Sequence, residues 1–209
     1  MARILITSGP TRQYLDPVRY LTNASSGRMG AALTAAAAQA GHEVVVISGP
    51  VDVDYPQAAE VIEVISTEGM LEQSLKVFPS CDGLIGVAAP CDYRPMVVSS
   101  QKIRRTGGPL ELRLVETPDV VALLAVVKDS QWMVAFALET QDERMRALQK
   151  LERKSCDLIV VNGPDSIHSP DTQLEVIDES GNVLTSFSGD KRTAAEEILR
   201  VIEQRLIDR

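Results

Sequence analysis

Short apolar runs rich in β-branched residues alternate along this chain with longer stretches of helix formers. Arg3 to Thr7 (RILIT) reads as a buried strand, and Glu43 to Ile47 (EVVVI) as a second, closed by Gly49 and Pro50. Between them, Leu33 to Ala40 (LTAAAAQA) is helical by composition and stops at Gly41, a residue type suited to the position just past a helix end. The opening is therefore strand, long loop, helix, strand, the skeleton of a βαβ unit. The alternation continues with a strand at Val61 to Ile65, a helix from Thr67 (as N-cap) to Phe78, and a central strand at Asp82 to Ala88. Thr117 as N-cap, Pro118 at the first helical position and Asp119 in the first turn open another helix. Trp132 to Ala137 and Leu158 to Val161 read as strands, separated by a charged helix that starts at the capping box Thr140–Glu143 and runs to about Lys154.

The tail has a different pattern. Gln173 to Ile177 and Val183 to Phe187 flank Glu179-Ser-Gly-Asn182, a hairpin signature. A last amphipathic helix places Ile198, Val201, Ile202 and Leu206 on one stripe. These elements predict an α/β fold: a Rossmann-like, doubly wound, mostly parallel sheet with a C-terminal antiparallel hairpin, as a single domain over residues 1–209. Ligands of such sheets sit beyond the carboxyl ends of the strands, where the loops after Thr7, Ala88, Ala137 and Val161 should converge.

Composition narrows the function. Aromatic residues are only 4% of the chain, so the core must come from Val, Ile, Leu and Ala. A formal net charge of −8 argues against a general nucleic-acid binder, which needs a basic face. Cys81, Cys91 and Cys156 are odd in number and widely spaced, which argues against a zinc site or disulfide framework and for a reducing compartment. The N-terminus lacks a signal-peptide pattern and no apolar run is long enough to span a bilayer, so the expected location is the cytoplasm, with no membrane partner.

Four stretches carry candidate chemistry. The loop Ser8–Gly30 is long and holds Arg12, Arg19 and Arg28, with Asn23, Ser25 and Ser26 just before a helix. Small residues there leave N–H groups for a phosphate, although Gly27-x-x-Gly30 is only half of a dinucleotide fingerprint and also fits an ordinary turn. Ala88–Arg94 leads to the cations Lys102, Arg104 and Arg105, which fit an anion site or a solvated basic loop equally well. Phe136–Thr140 is the third stretch, and Lys150 with Lys154, four apart on one helix face, is the fourth, for which a solvated face is the commoner explanation. His42 and His168 have no accompanying nucleophile or ligand set, leaving a serine-hydrolase triad and a histidine metal site unsupported. Few histidines and many Arg and Lys suit charge stabilisation, as in phosphoryl and nucleotidyl transfer.

Taken together, the four stretches resemble the phosphopantothenoylcysteine synthetase (phosphopantothenate–cysteine ligase) family, in a stand-alone form without the flavin-dependent decarboxylase domain. Asp16-Pro-Val-Arg-Tyr-Leu-Thr-Asn-Ala-Ser-Ser-Gly-Arg-Met-Gly30 matches the family pattern D-P-V-R-x-[IL]-[ST]-N-x-S-S-G-x-M-G, and Ala88–Arg94, Lys102-Ile103 and Lys154-x-x-Asp157-x-Ile159-x-x-Asn162 follow in order. The resemblance implies a ligase of coenzyme A biosynthesis. The 4′-phosphopantothenate carboxylate attacks the α-phosphate of a nucleoside triphosphate, releasing pyrophosphate, and the cysteine amine then displaces the nucleotide. The co-substrate is CTP in bacterial members and ATP in eukaryotic ones, with Mg2+ accompanying it and no flavin. By resemblance, Lys102 stabilises the triphosphate, Asn23 holds the acyl-nucleotide, and Arg19 and Ala89 serve the second half-reaction. Asp92, Phe136, Lys150, Lys154 and the turn Pro118, Asp119, Val120, Val121 correspond to nucleotide contacts. Ser25, Ser26 and Gly27 join Arg19, Asn23 and Ala89 on the phosphopantothenate side. The resemblance implies a homodimer with the site near its interface, and metal ligands are not identified. Pro10 stands where the family usually has Gly, and Pro90-Cys91 replaces a pair of small residues. Two other classes compete. An NAD(P)-dependent oxidoreductase would share the fold, but the full G-x-G-x-x-G and a Tyr-x-x-x-Lys are missing; a non-catalytic nucleotide-binding module fits poorly with retention of both Asn23 and Lys102.

Overall fold

The computed structural model describes residues 1–138, 151–162 and 171–208. The capping box at Thr140, Lys150 and His168 lie outside the described residues, and of the expected charged helix only residues 151–153 are described as helical. Eight strands form one sheet in the order β12-β11-β10-β9-β6-β1-β4-β5. They are β1 (Arg3–Ser8), β4 (Glu43–Ser48), β5 (Glu60–Glu63), β6 (Gly83–Gly86), β9 (Trp132–Leu138), β10 (Leu158–Asn162), β11 (Asp171–Asp178) and β12 (Val183–Asp190). From β10 across to β5 every pairing is parallel. β11 and β12 add antiparallel strands at one edge, as the hairpin signature predicts.

Alternation along each strand sorts two cores onto opposite faces. Ile4, Ile6, Val44, Val46, Val134 and Val160 pack with helices α1 (Arg28–Gln39) and α4 (Lys191–Ile202). Leu5, Ile47, Leu84, Met133 and Ile159 pack with α2 (Thr67–Val77) and α3 (Val120–Val126). Ile198, Val201 and Ile202 of the predicted stripe are buried, whereas Leu206 is only partly so, in a wider turn after α4. His42 is structural: it accepts the Ala2 N–H at Nδ1 and its Nε2 lies 3.1 Å from Glu203, joining the start of the chain to the end of the last helix. No helix among the described residues is long and apolar enough to cross a membrane.

The helix starts differ from those predicted, for local reasons. Helix α1 begins at Arg28, behind Gly27 at a φ of 73°, well before the alanine run that marks it in the sequence. Ser66, not Thr67, caps α2 by accepting the Gly69 N–H at 3.1 Å, because the Thr67 hydroxyl is buried against the Thr11 hydroxyl. Asp119, not Thr117, caps α3 by accepting the Ala122 N–H, while Thr117 donates its hydroxyl to the Cys91 carbonyl. Two small antiparallel pairs escape the pattern altogether: β2 (Arg12–Tyr14) with β3 (Tyr20–Thr22), and β7 (Tyr93–Pro95) with β8 (Leu114–Glu116).

Candidate functional site

The parallel strands run outward in both directions from the adjacent pair β1 and β6, so their carboxyl ends diverge into a crevice. A cleft of about 840 Å³ lies there, with Thr7 and Gly86 at its floor. Gly30 lets α1 approach that floor. A Cβ on it would stand 2.0 Å from Ser8 Oγ, which accepts a hydrogen bond from the Tyr55 hydroxyl.

Three loops form the walls, and buried hydroxyls and backbone contacts stitch them together. Ala89 N donates to Gly9 O at 2.9 Å, and Pro10 and Ala89 pair as an isolated bridge. Gly9 sits at a φ of 74°, which a side chain would resist. The Thr11 hydroxyl accepts the Cys91 N–H at 2.8 Å and meets the Thr67 hydroxyl at 2.8 Å. The Thr67 and Thr117 hydroxyls both donate to Cys91 O, and Thr117 N donates to Asp92 O. The two sequence departures, Pro10 and Cys91, thus fall at one junction. Cys91 is buried with its thiol directed at Thr11 O, and burial pushes its pKa up, so it is an inert filler of that junction. Thr11 and Cys91 fall within candidate stretches without an assigned role and Thr67 reads in the sequence as a helix cap; their clustering in space shows what they do.

Most sequence candidates converge. Asn23, Ser25, Ser26 and Gly27 line the cleft from the first loop, and Ala89 and Asp92 from the second. Pro118, Asp119, Val120 and Val121 line it from the third, with Phe136 and Lys154 beside them. The Asn23 side chain bridges two loops, its Nδ2 donating to Pro90 O at 2.9 Å and Ala89 O at 3.3 Å. Since Gly27 occupies the N-cap position of α1, Asn23 is not a helix cap. That cap makes no side-chain hydrogen bond and the first turn holds no acid, so nothing acidic there opposes an anion at this end of α1.

Across the cleft, Lys154 is buried and its Nζ lies 2.8 Å from Asp119 Oδ1, with Arg153 3.6 Å from Oδ2. Burial works against ionisation of Asp119. The hydrogen bond and charge of Lys154, the Ala122 N–H and the charge of Arg153 outweigh it and hold the carboxyl below the usual aspartate range. Lys191, absent from the sequence candidates, lines the same cleft; burial and then the charge of Arg28 lower its pKa.

Two candidates stand apart. Arg19 does not line the cleft: its guanidinium pairs with Asp16 at 3.0 Å and donates to Ile103 O. Lys102 is exposed and is not part of the cleft wall of its own chain. No group of three or more His, Cys, Asp or Glu side chains suited to a metal ion occurs among the described residues.

Known proteins share this chain's sequence pattern and fold. The model of the DNA/pantothenate metabolism flavoprotein C-terminal domain matches residues 1–206. A cysteine/cysteine sulfinic acid decarboxylase from an unknown prokaryotic organism is 40% identical over 206 residues, 96% of this chain and 57% of that protein. The coenzyme A biosynthesis bifunctional protein CoaBC of Bacillus subtilis is 44% identical over 160 residues, 76% of this chain and 39% of that one. The chain thus spans about half the length of the curated relatives it matches. Among solved structures, the C-terminal domain of a coenzyme A biosynthesis bifunctional protein CoaBC is 33% identical with a TM-score of 0.83, covering 99% of this chain and 98% of that one. A Cab2 variant in complex with phosphopantothenate-cysteine shares the fold, with a TM-score of 0.78 at 16% identity.

Proposed function

This chain belongs to the DNA/pantothenate metabolism flavoprotein C-terminal domain family, and we propose that its cleft joins 4′-phosphopantothenate to L-cysteine. One convergence supports the reading: the Asn23–Gly27 loop with the end of α1 faces the Asp92, Asp119 and Lys154 side within a single cleft. A carboxylate has no leaving group. In the proposed reaction its oxygen bonds to the α-phosphorus of a nucleoside triphosphate as the bond to pyrophosphate breaks. The cysteine nitrogen then attacks the acyl carbon, loses a proton, and the nucleoside monophosphate departs with the electron pair. Each step shifts negative charge between oxygens, which fixed N–H groups and cations stabilise without reorganisation.

CTP is the proposed co-substrate, held by Asp92, Phe136, Lys150, Lys154 and the Pro118–Val121 turn. Mg2+ enters with the triphosphate, since phosphates and water commonly supply most of that ion's ligands. Asn23 and Arg19 serve the acyl-nucleotide and Lys102 the triphosphate. A homodimer is supported by Met96, Val97, Val98, Leu110 and Leu112, exposed apolar residues flanking the β7–β8 pair. Three buried free cysteines suit the reducing cytoplasm. The decarboxylase activity named for one relative belongs to that protein, of which this chain spans 57%.

The test is pyrophosphate release by the wild-type chain with 4′-phosphopantothenate and each nucleoside triphosphate, with and without cysteine. CTP should support it, and cysteine should yield phosphopantothenoylcysteine by mass spectrometry. Absence of pyrophosphate release with every triphosphate tested would refute the reading.

A further inference from the structure

Asp16 lies outside the cleft, yet its side chain is completely buried and fully engaged. Oδ1 accepts the Val18 and Arg19 N–H groups, both at 2.8 Å, closing a tight turn. Oδ2 accepts the Ile103 N–H at 3.0 Å and pairs with the Arg19 guanidinium, which itself donates to Ile103 O. Both backbone groups of Ile103 are thereby held from a segment more than 80 residues away in sequence. Ser99 N donates to Leu15 O at 2.9 Å, and the Ser99 hydroxyl closes on Gln101 O, so the stretch before Lys102 is pinned as well. Beyond Ile103 the chain is exposed from Arg104 to Leu114. Lys102 stands inside the clamped portion with an exposed side chain, at the base of the cationic run Lys102, Arg104, Arg105.

We propose that Asp16 is a positioning residue for Lys102: its carboxylate clamps Ile103 and sets the backbone from which Lys102 reaches the transferring phosphate. The proposal rests on the ligase reading given above. A lysine carries several rotatable bonds, and an unfixed backbone beneath it adds further freedom that must be lost before the ammonium meets a phosphate. A buried carboxylate is a costly way to make a turn, and an exposed Asp or Asn makes one as well. What the second oxygen adds is the tie to Ile103 and Arg19. Arg19 takes part in the clamp from the other side.

Asp16→Asn tests this selectively. Its carbonyl can keep the Val18 and Arg19 turn, which turns the NH2 toward the Ile103 N–H and the guanidinium, donor against donor. The measurement is a double-mutant cycle on the first half-reaction, pyrophosphate release without cysteine, using wild type, Asp16→Asn, Lys102→Gln and the double variant. Asp16→Asn should slow release about tenfold, the size expected for partial loss of positioning, and should cost nothing further once Lys102 is Gln. Multiplicative losses in the double variant, or a normal rate for Asp16→Asn, overturn the proposal. If Lys102→Gln alone releases pyrophosphate normally, the role assigned to Lys102 fails and the clamp proposal with it; if the wild type releases none, the ligase reading is what fails. Should Asp16→Asn not fold, Ser99→Ala, which removes the hydroxyl that closes on Gln101 O, loosens the same stretch. It should slow release and be non-additive with Lys102→Gln, and a full rate there overturns the proposal.

Discussion

Removing Asp119 should cost far more stability than removing its partner Lys154, although each change breaks the same 2.8 Å ion pair. Asp119→Ala deletes the cap of α3, worth about 1 kcal/mol. It also leaves the ammonium of Lys154, only 11% exposed at its side chain, without its closest counter-charge. Breaking a fully buried pair from one side costs about 3–5 kcal/mol, while exposed pairs contribute about 0–1. Asp119 is 38% exposed at its side chain, so solvent screening reduces the figure to about 1–2 kcal/mol. The sum is about 2–3 kcal/mol, a fall in melting temperature of about 4–12 °C for a chain of this size. Lys154→Met instead fills the space of the lysine stem and leaves Asp119 with the Ala122 N–H, Arg153 and water. It should cost no more than about 1 kcal/mol. Thermal melts of both variants at neutral pH measure the difference, and equal losses would refute the reasoning. The pH dependence supplies an internal control. The folded pKa of Asp119 lies below its ordinary value of 3.8, so its contribution is present in full above that value and disappears as pH falls through the folded pKa. The gap between wild type and Asp119→Ala should therefore persist at neutral pH and narrow only in acid below about 4.

Gly30→Ala would place a methyl 2.0 Å from Ser8 Oγ at the cleft floor, so melts should show a loss of about 1–3 kcal/mol or more; an unchanged melting temperature contradicts the close approach. Gly83→Ala drives a Cβ to 2.1 Å from the indole of Trp132, the single tryptophan, so its fluorescence should shift as stability falls, and an unaltered spectrum counts against that packing. Asn23→Asp sets a carboxylate where Nδ2 now donates to Ala89 O and Pro90 O; cysteine transfer should fall at least about tenfold more than pyrophosphate release, leaving a trapped acyl-nucleotide visible by mass spectrometry, and equal loss of both halves would sink the assigned role.

The centre of the sheet was legible because its strands β1, β4, β6 and β10 are buried on both faces, and runs such as Glu43–Ser48 are nearly continuously apolar. The same logic failed for Arg12–Tyr14, Tyr20–Thr22, Tyr93–Pro95 and Leu114–Glu116. Each is three residues long, too short for any periodicity, and is held by pairing rather than by a hydrophobic face. Thr67 and Thr117 misled for a different reason. Both are good capping residues, but their hydroxyls tie loops across the cleft, leaving Ser66 and Asp119 to close the helices.

Legibility of the site divides along the same line. Asn23, Asp92 and Lys154 could be picked out because they match the family pattern, and Asn23 and Asp92 also sit in loops that follow predicted strands, where the fold delivers side chains to the crevice. Arg19 carries the charge expected of a binding residue, yet Asp16 and Ile103 engage it. The acidic chain also conceals how its local charge is set. Counting Lys154 as a positive element of the cleft overstates it, because Asp119 neutralises that charge at 2.8 Å. At the other wall, Arg28 depresses the pKa of Lys191, second only to burial, which is the mark of two cations held near each other. Beside them the first turn of α1 presents no acid. The net charge of −8 therefore says nothing about how charge is set along the cleft; at Lys154 it is set by the carboxylate of Asp119, a property of the fold and not of composition.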